Sequence, residues 1–115
     1  MVTIEELVEI ESIKKLRHLY SHFFDGQFPD KMAELFTEDA VCEFGPDYGG
    51  DWVGKEQIHA NFDKWSEMEG PQWGVMHSVT NPWITLIDSE TAHGRWYLHD
   101  LGTTEGAENP LILYG

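Results

Sequence analysis

Apolar residues recur at three- and four-residue steps through Ile4, Leu7, Val8, Ile13, Leu16, Leu19, Tyr20, Phe23 and Phe24, the spacing of one helix face. Thr3 followed by Glu6 forms a capping-box pattern at its start, and Asp25-Gly26 supplies turn chemistry at its end. A long amphipathic helix is therefore expected, bent near Glu11. Pro29 suits the first turn of a short second helix carrying Met32, Ala33, Leu35 and Phe36. A strand over 40–44, a loop over 46–50 and a short strand at Trp52-Val53 follow. Ile58, Phe62, Trp65 and Met68 mark a third helix, stopped by Gly70-Pro71. From Trp73 the period becomes two: a strand over 73–87, a turn at Asp88-Ser89-Glu90, a strand over 91–101 and a last strand from Leu111.

Helices first and an antiparallel meander afterwards make an α+β fold, with N-terminal helices packed on one face of a strongly curved sheet. No linker or repeat divides residues 1–115, so a single domain is expected. The sequence stops in the apolar run Leu111-Ile112-Leu113-Tyr114-Gly115. The expectation is a missing final strand and an exposed sheet edge, covered in a homodimer or higher homo-oligomer.

Composition narrows the partners. Seven Lys and Arg against 21 Asp and Glu leave a formal charge of −14, so neither nucleic acid nor an anionic membrane surface is expected to bind. The acidity reads first as a solubility device. Cys42 is the only cysteine, which excludes an internal disulfide and a multi-cysteine metal site. The N-terminus lacks the pattern of a signal peptide and no apolar run reaches membrane-span length, so a cytoplasmic location is expected. Aromatic residues, 13% of the chain, can line a cavity as well as fill a core.

Alternation sorts the two long strands into faces. Trp73, Val75, His77, Val79 and Asn81 share one face of the first; Ala92, Gly94, Trp96, Leu98 and Asp100 share one of the second. A turn centred between Asp88 and Ser89 sets His77 directly opposite Asp100, whereas a half-residue shift separates them onto opposite faces. A His and an Asp among Trp, Val and Leu fit an acid–base site, since apolar walls favour neutral imidazole and a carboxylate favours imidazolium. They fit equally a hydrogen bond that satisfies two buried groups. Asp25 lies where the helix dipole disfavours a carboxylate, although Asp-Gly is also an ordinary turn pair. Tyr20 lies on the apolar helix face, as a core tyrosine would. His18 and His22 have the four-residue spacing of a helical metal pair but fall on the polar side without a third ligand, so no metal and no cofactor is expected. His59 lies off its helix's apolar stripe. There is no phosphate-cradling glycine loop and no Gly-x-Ser-x-Gly elbow.

Ile13-Lys14-Lys15-Leu16 leading to Tyr20 and Asp25-Gly26, Leu35-Phe36-Thr37-Glu38-Asp39-Ala40, Met76-His77 before Asn81-Pro82, and Gly94-Arg95-Trp96-Tyr97-Leu98 resemble the SnoaL-like group of the nuclear-transport-factor-2-like superfamily. The resemblance covers almost the whole chain and implies a cone of curved antiparallel sheet with helices closing its mouth. Within the group, Ile87-Asp88-Ser89-Glu90 through Leu98 and Asp100 is similar to bacterial bile-acid dehydratase. That likeness implies Tyr20, Asp25, His77 and Asp100 as the catalytic set. Scytalone dehydratase and hexachlorocyclohexane dehydrochlorinase also resemble the chain at Asp25 and His77, which pair in those folds. The implied activity is a cofactor-independent dehydratase, a lyase acting on a hydroxylated apolar ring compound such as a steroid or polyketide. His77 would remove a proton beside a carbonyl, Asp25 would hold its tautomer, Tyr20 would donate to the carbonyl or departing hydroxyl, and Asp100 would tune His77 or bind a hydroxyl. Trp73, Val75, Trp96 and Leu98 would form the apolar substrate wall. A ketosteroid-type isomerase and a non-catalytic small-molecule-binding or association domain are the alternatives, since one fold hosts several functions. The chain departs from the dehydratase pattern by stopping before a C-terminal Arg and the final strand.

Overall fold

The computed structural model describes residues 1–68, 73–104 and 111–114, and the side chains of 1–67 and 75–102. Helix α1 spans Ile4–Asp25 and runs unbroken through Glu11. Its start is the capping box: Glu6 N–H donates to Thr3 Oγ1 at 3.1 Å, and Thr3 N–H donates to Glu6 Oε2 at 2.8 Å. Its end is a Schellman turn, with Phe28 N–H donating to Phe23 O at 2.9 Å and Gln27 N–H to Phe24 O at 3.1 Å. The left-handed residue there is Gln27, at φ 58°, and Gly26 stays right-handed. Glycine is required at 26 for a different reason, because a Cβ would collide with the Phe28 ring.

Helix α2 is short, Pro29–Ala33, and Leu35 and Phe36 follow it in a turn. Strands β1 (Val41–Glu43) and β2 (Asp51–Val53) pair antiparallel, and helix α3 covers Lys55–Met68. The core lies between these helices and the small hairpin: Met32, Trp52, Ile58 and Phe62 are buried, with Tyr20, Phe23, Phe24, Leu35 and Phe36 packed around them. Only the C-terminal half of α1 joins this packing. Ile4, Leu7, Val8 and Leu16 remain exposed, so the first half of its apolar stripe has no cover among the described residues.

The second sheet has the order β3-β4-β5, from Trp73–Leu86, Ala92–Thr104 and Leu111–Tyr114, all antiparallel. Helix α1 lies against β3. The fold is thus α+β, with an open sheet.

One local irregularity decides the register. Near the turn Leu86 faces Ala92, so the hairpin is centred on Ser89, half a residue from the position that sets His77 against Asp100. A regular ladder from there would place His77 opposite Leu101, on the other face. Asn81 and Pro82 prevent this by bulging together opposite Trp96, between the pairs Thr80–Tyr97 and Trp83–Arg95. Asn81 takes φ 55°, which Asn tolerates, and Pro82 has no N–H to lose from the ladder. Beyond the bulge His77 faces Asp100. Substituting Asn81→Val should cost about 1–2 kcal/mol, the penalty of a left-handed backbone at a non-glycine residue, here β-branched. Urea unfolding of the variant checks this, and an unchanged midpoint would show that the bulge is unstrained.

Candidate active site

The last residue of α1 and the middle of β3 meet at one imidazole. Asp25 grips His77 twice: Oδ1 lies 2.6 Å from Nδ1, and Oδ2 accepts the His77 backbone N–H at 3.0 Å. These two bonds compensate a carboxylate placed at the negative end of a helix dipole. The other ring nitrogen, Nε2, lies 3.3 Å from Asp100 Oδ2, across the β3–β4 ladder. The side chain of His77 is 12% exposed and those of Asp25 and Asp100 are each 24% exposed, so the triad is shielded but reachable. Phe24, the neighbour of Asp25, packs against the imidazole with ring centroids 4.4 Å apart and planes at 68°.

This arrangement defines the imidazole's chemistry. A carboxylate at Nδ1 favours a proton there in the neutral ring and leaves Nε2 to take a proton from elsewhere. Each ring nitrogen of His77 faces one carboxylate oxygen, Nδ1 that of Asp25 and Nε2 that of Asp100. Asp25, His77 and Asp100 are therefore brought together in one side-chain cluster.

Tyr20 is placed differently. Its ring belongs to the aromatic cluster of the helices, with centroids 6.4 Å from Phe24, 6.2 Å from Phe36 and 6.0 Å from Phe62. Phe24 touches both Tyr20 and His77, so Tyr20 stands one ring away from the imidazole. Burial, with Cys42 nearby, pushes the Tyr20 hydroxyl up to about 12, and it stays protonated at neutral pH. It can serve as a hydrogen-bond donor and not as a base.

The inner face of the sheet is apolar. Val75, Val79, Ile84, Trp96 and Leu98 are partly buried, while Met76, Trp83 and Tyr97 point out on the other face. Leu98 faces Val79, and Val75 faces Gly102, on either side of the His77–Asp100 pair. The Trp96 ring folds back over Gly94, where a Cβ would collide with it, so it covers the sheet toward the turn and away from His77. Its Nε1 is buried without a partner among the described residues. Trp73 lies in β3 opposite Thr104, and its side chain is outside the described residues.

The chain matches the SnoaL-like domain family over residues 5–115. It belongs to that family. This SnoaL-like domain also superimposes on solved structures. A candidate scytalone dehydratase of Novosphingobium aromaticivorans is 25% identical, with a TM-score of 0.79 over 95% of this chain and 70% of that one. A candidate aromatic ring hydroxylase of the same organism is 25% identical, with a TM-score of 0.75 over 91% and 70% of the two chains. The β subunit of benzoate 1,2-dioxygenase from Burkholderia mallei, 13% identical, shares the fold with a TM-score of 0.74 over 100% and 75%.

Sequence reasoning missed two features of the SnoaL-like site, the Phe24 contact and the Asn81-Pro82 bulge, and also the placement of Arg17 on α1. The Arg17 guanidinium lies 4.7 Å over the Tyr20 ring, and Nη1 donates to Ser21 Oγ at 2.9 Å. The signal available was spacing, since Arg17 precedes Tyr20 by three residues and Phe24 by seven, on one helix face. His18 and His22 are both exposed. His59 instead joins Asp30 at 2.8 Å and Asp63 at 3.7 Å. This surface group is the one set among the described residues whose spacing could hold a metal. It lies on α2 and α3, apart from His77. No helix among the described residues is long and apolar enough to cross a membrane.

Proposed function

We propose that this SnoaL-like domain is a cofactor-independent dehydratase, a lyase for a hydroxylated apolar ring compound such as a steroid or polyketide. The observation that carries the reading is the double grip of Asp25 on His77, which leaves Nε2 facing the apolar inner face beside Asp100. The likeness to a candidate scytalone dehydratase supports it.

In this reading His77 Nε2 takes the proton from the carbon next to a carbonyl, and the C–H electrons form an enolate. Asp25 holds the ring and Asp100 shares the second proton, so the imidazolium persists long enough to act as an acid. The enolate collapses to the new C=C bond as the β-hydroxyl leaves, taking the Nε2 proton, and departs as water. His77 returns to its starting state. The protonated Tyr20 donates to the carbonyl or to the departing hydroxyl, and Val75, Leu98 and Trp73 wall the ring compound off from water, whereas Trp96, folded over Gly94 toward the turn, stands away from that wall. Soluble expression, small-molecule binding and assembly as a homodimer or larger homo-oligomer in the cytoplasm are parts of the same proposal.

The test is conversion of a panel of β-hydroxylated ketosteroids and polyketide-like phenols, followed by the absorbance of the new conjugated double bond. Asp25→Asn should slow turnover while leaving binding intact. An amide offers one acceptor oxygen where His77 presents two N–H donors, so orientation and charge are both impaired. Binding of the panel without conversion by the parent protein would instead support the non-catalytic binding domain.

A further inference from the structure

Asp25 and Asp100 both face His77, and the whole chain carries a formal charge of −14. A site with this field repels any anion unless a cation is built into it. Six of the seven Lys and Arg are placed elsewhere. Lys14 pairs with Glu11 at 2.8 Å and Lys55 with Glu38 at 3.8 Å. Lys31 lies over the Phe23 and Phe28 rings, and Lys15, Lys64 and Arg95 are exposed.

Arg17 is the remaining one. On α1 it shares a stripe with Ser21, which is buried, and with Phe24, which touches His77. The bond from Nη1 to Ser21 Oγ folds the side chain toward the helix C-terminus, and the Tyr20 ring beneath holds it there. The guanidinium is thus pinned near the level of Ser21, one turn, or about 6 Å along the axis, before Asp25. Among the described residues it forms no ion pair, and most of its five N–H donors remain for a ligand. Burial pushes it below its ordinary range, while Tyr20 and Asp25 pull it up. A part-buried guanidinium with N–H donors to spare is suited to an anionic partner.

We infer that Arg17 is an anion-recognition residue of this site, which selects ring compounds carrying a carboxylate or phenolate beyond the carbon that faces His77. The inference rests on the inner face being a ligand site and not on the elimination itself. A planar guanidinium with N–H groups to spare beyond the Ser21 bond takes a carboxylate in two-point contact.

The experiment is calorimetric titration of the full chain with naphthoate and with naphthalenemethanol, its neutral counterpart, at low and high salt. The parent should prefer naphthoate, and the preference should shrink with salt. Arg17→Gln should weaken naphthoate binding about ten- to a hundredfold and leave naphthalenemethanol unchanged, the loss expected for a charge-assisted contact. Arg17→Lys should keep part of the preference, and circular dichroism should report the same helix content in all three proteins. An equal fall for both ligands would mean a structural role and overturn the inference. So would Arg17→Gln shifting only the titration of His77, read by imidazole NMR, because Arg17 would then merely balance Asp25. Failure of the parent to bind either ligand also overturns it. Binding with the expected preference, but no turnover of the steroid and phenol panel, would sink the dehydratase reading alone.

Discussion

His77→Ala should lower kcat by about a hundred- to ten-thousandfold, the usual contribution of a positioned general acid–base group. The fall should appear in kcat and kcat/KM together. The imidazole acts on a proton in flight, whereas ground-state binding comes from the apolar inner face, which the substitution leaves in place. The fold should survive as well. Asp25 keeps the backbone N–H of residue 77 as a donor at 3.0 Å, so the carboxylate is not stranded. Asp25→Asn should do less damage, because it weakens the hold on the base without deleting it. Stopped-flow turnover of a converted ketone, with its affinity measured separately, separates the terms. Equal turnover by His77→Ala and parent would remove His77 from the mechanism.

Ile58→Ala should give a large loss of stability, about 2–5 kcal/mol, from lost burial plus the cavity left behind. Ile58 is 0% exposed and sits in the cluster with Met32, Trp52 and Phe62. The cluster joins α2, α3 and the β1–β2 hairpin, and Tyr20, Phe23 and Phe24 of α1 pack against it. Little room for collapse exists, since Met32 beside it is 1% exposed and comes from a different element. The loss is a large fraction of the roughly 5–15 kcal/mol that holds a typical domain together. Urea unfolding should show a lower midpoint at an unchanged slope. The site should feel it secondarily, because the same packing fixes the end of α1 that carries Asp25. A midpoint within error of the parent would mean that the core lies elsewhere.

The sequence by itself determined the elements and the membership of the faces. Helical and alternating periods are set by backbone geometry, so the capping box at Thr3 and Glu6, the α1 stripe and the inward His77, Leu98 and Asp100 are all legible one residue at a time. The motifs also carried the SnoaL-like family, and with it the pairing of Asp25 with His77. The turn expected at Asp25-Gly26 does end α1, with Gln27 as its left-handed residue. One local reading missed its mark, because Leu35 and Phe36 lie past the end of α2. What only the tertiary structure decided is how the faces are brought into contact. The hairpin turn alone would have turned His77 away from Asp100, and the left-handed backbone of Asn81, with Pro82 beside it, restores the register. Tyr20 reads from sequence as a site residue or a core residue, and its environment of Phe24, Phe36 and Phe62 is a matter of helix packing. Arg17 reads as an ordinary charge on a helix, and its position over Tyr20 follows from rotamers and neighbours that no period encodes. Periodicity is a property of one segment. The meeting of Asp25, His77 and Asp100 depends on a bulge in one strand and on the docking of a helix against another, which are properties of the assembled chain.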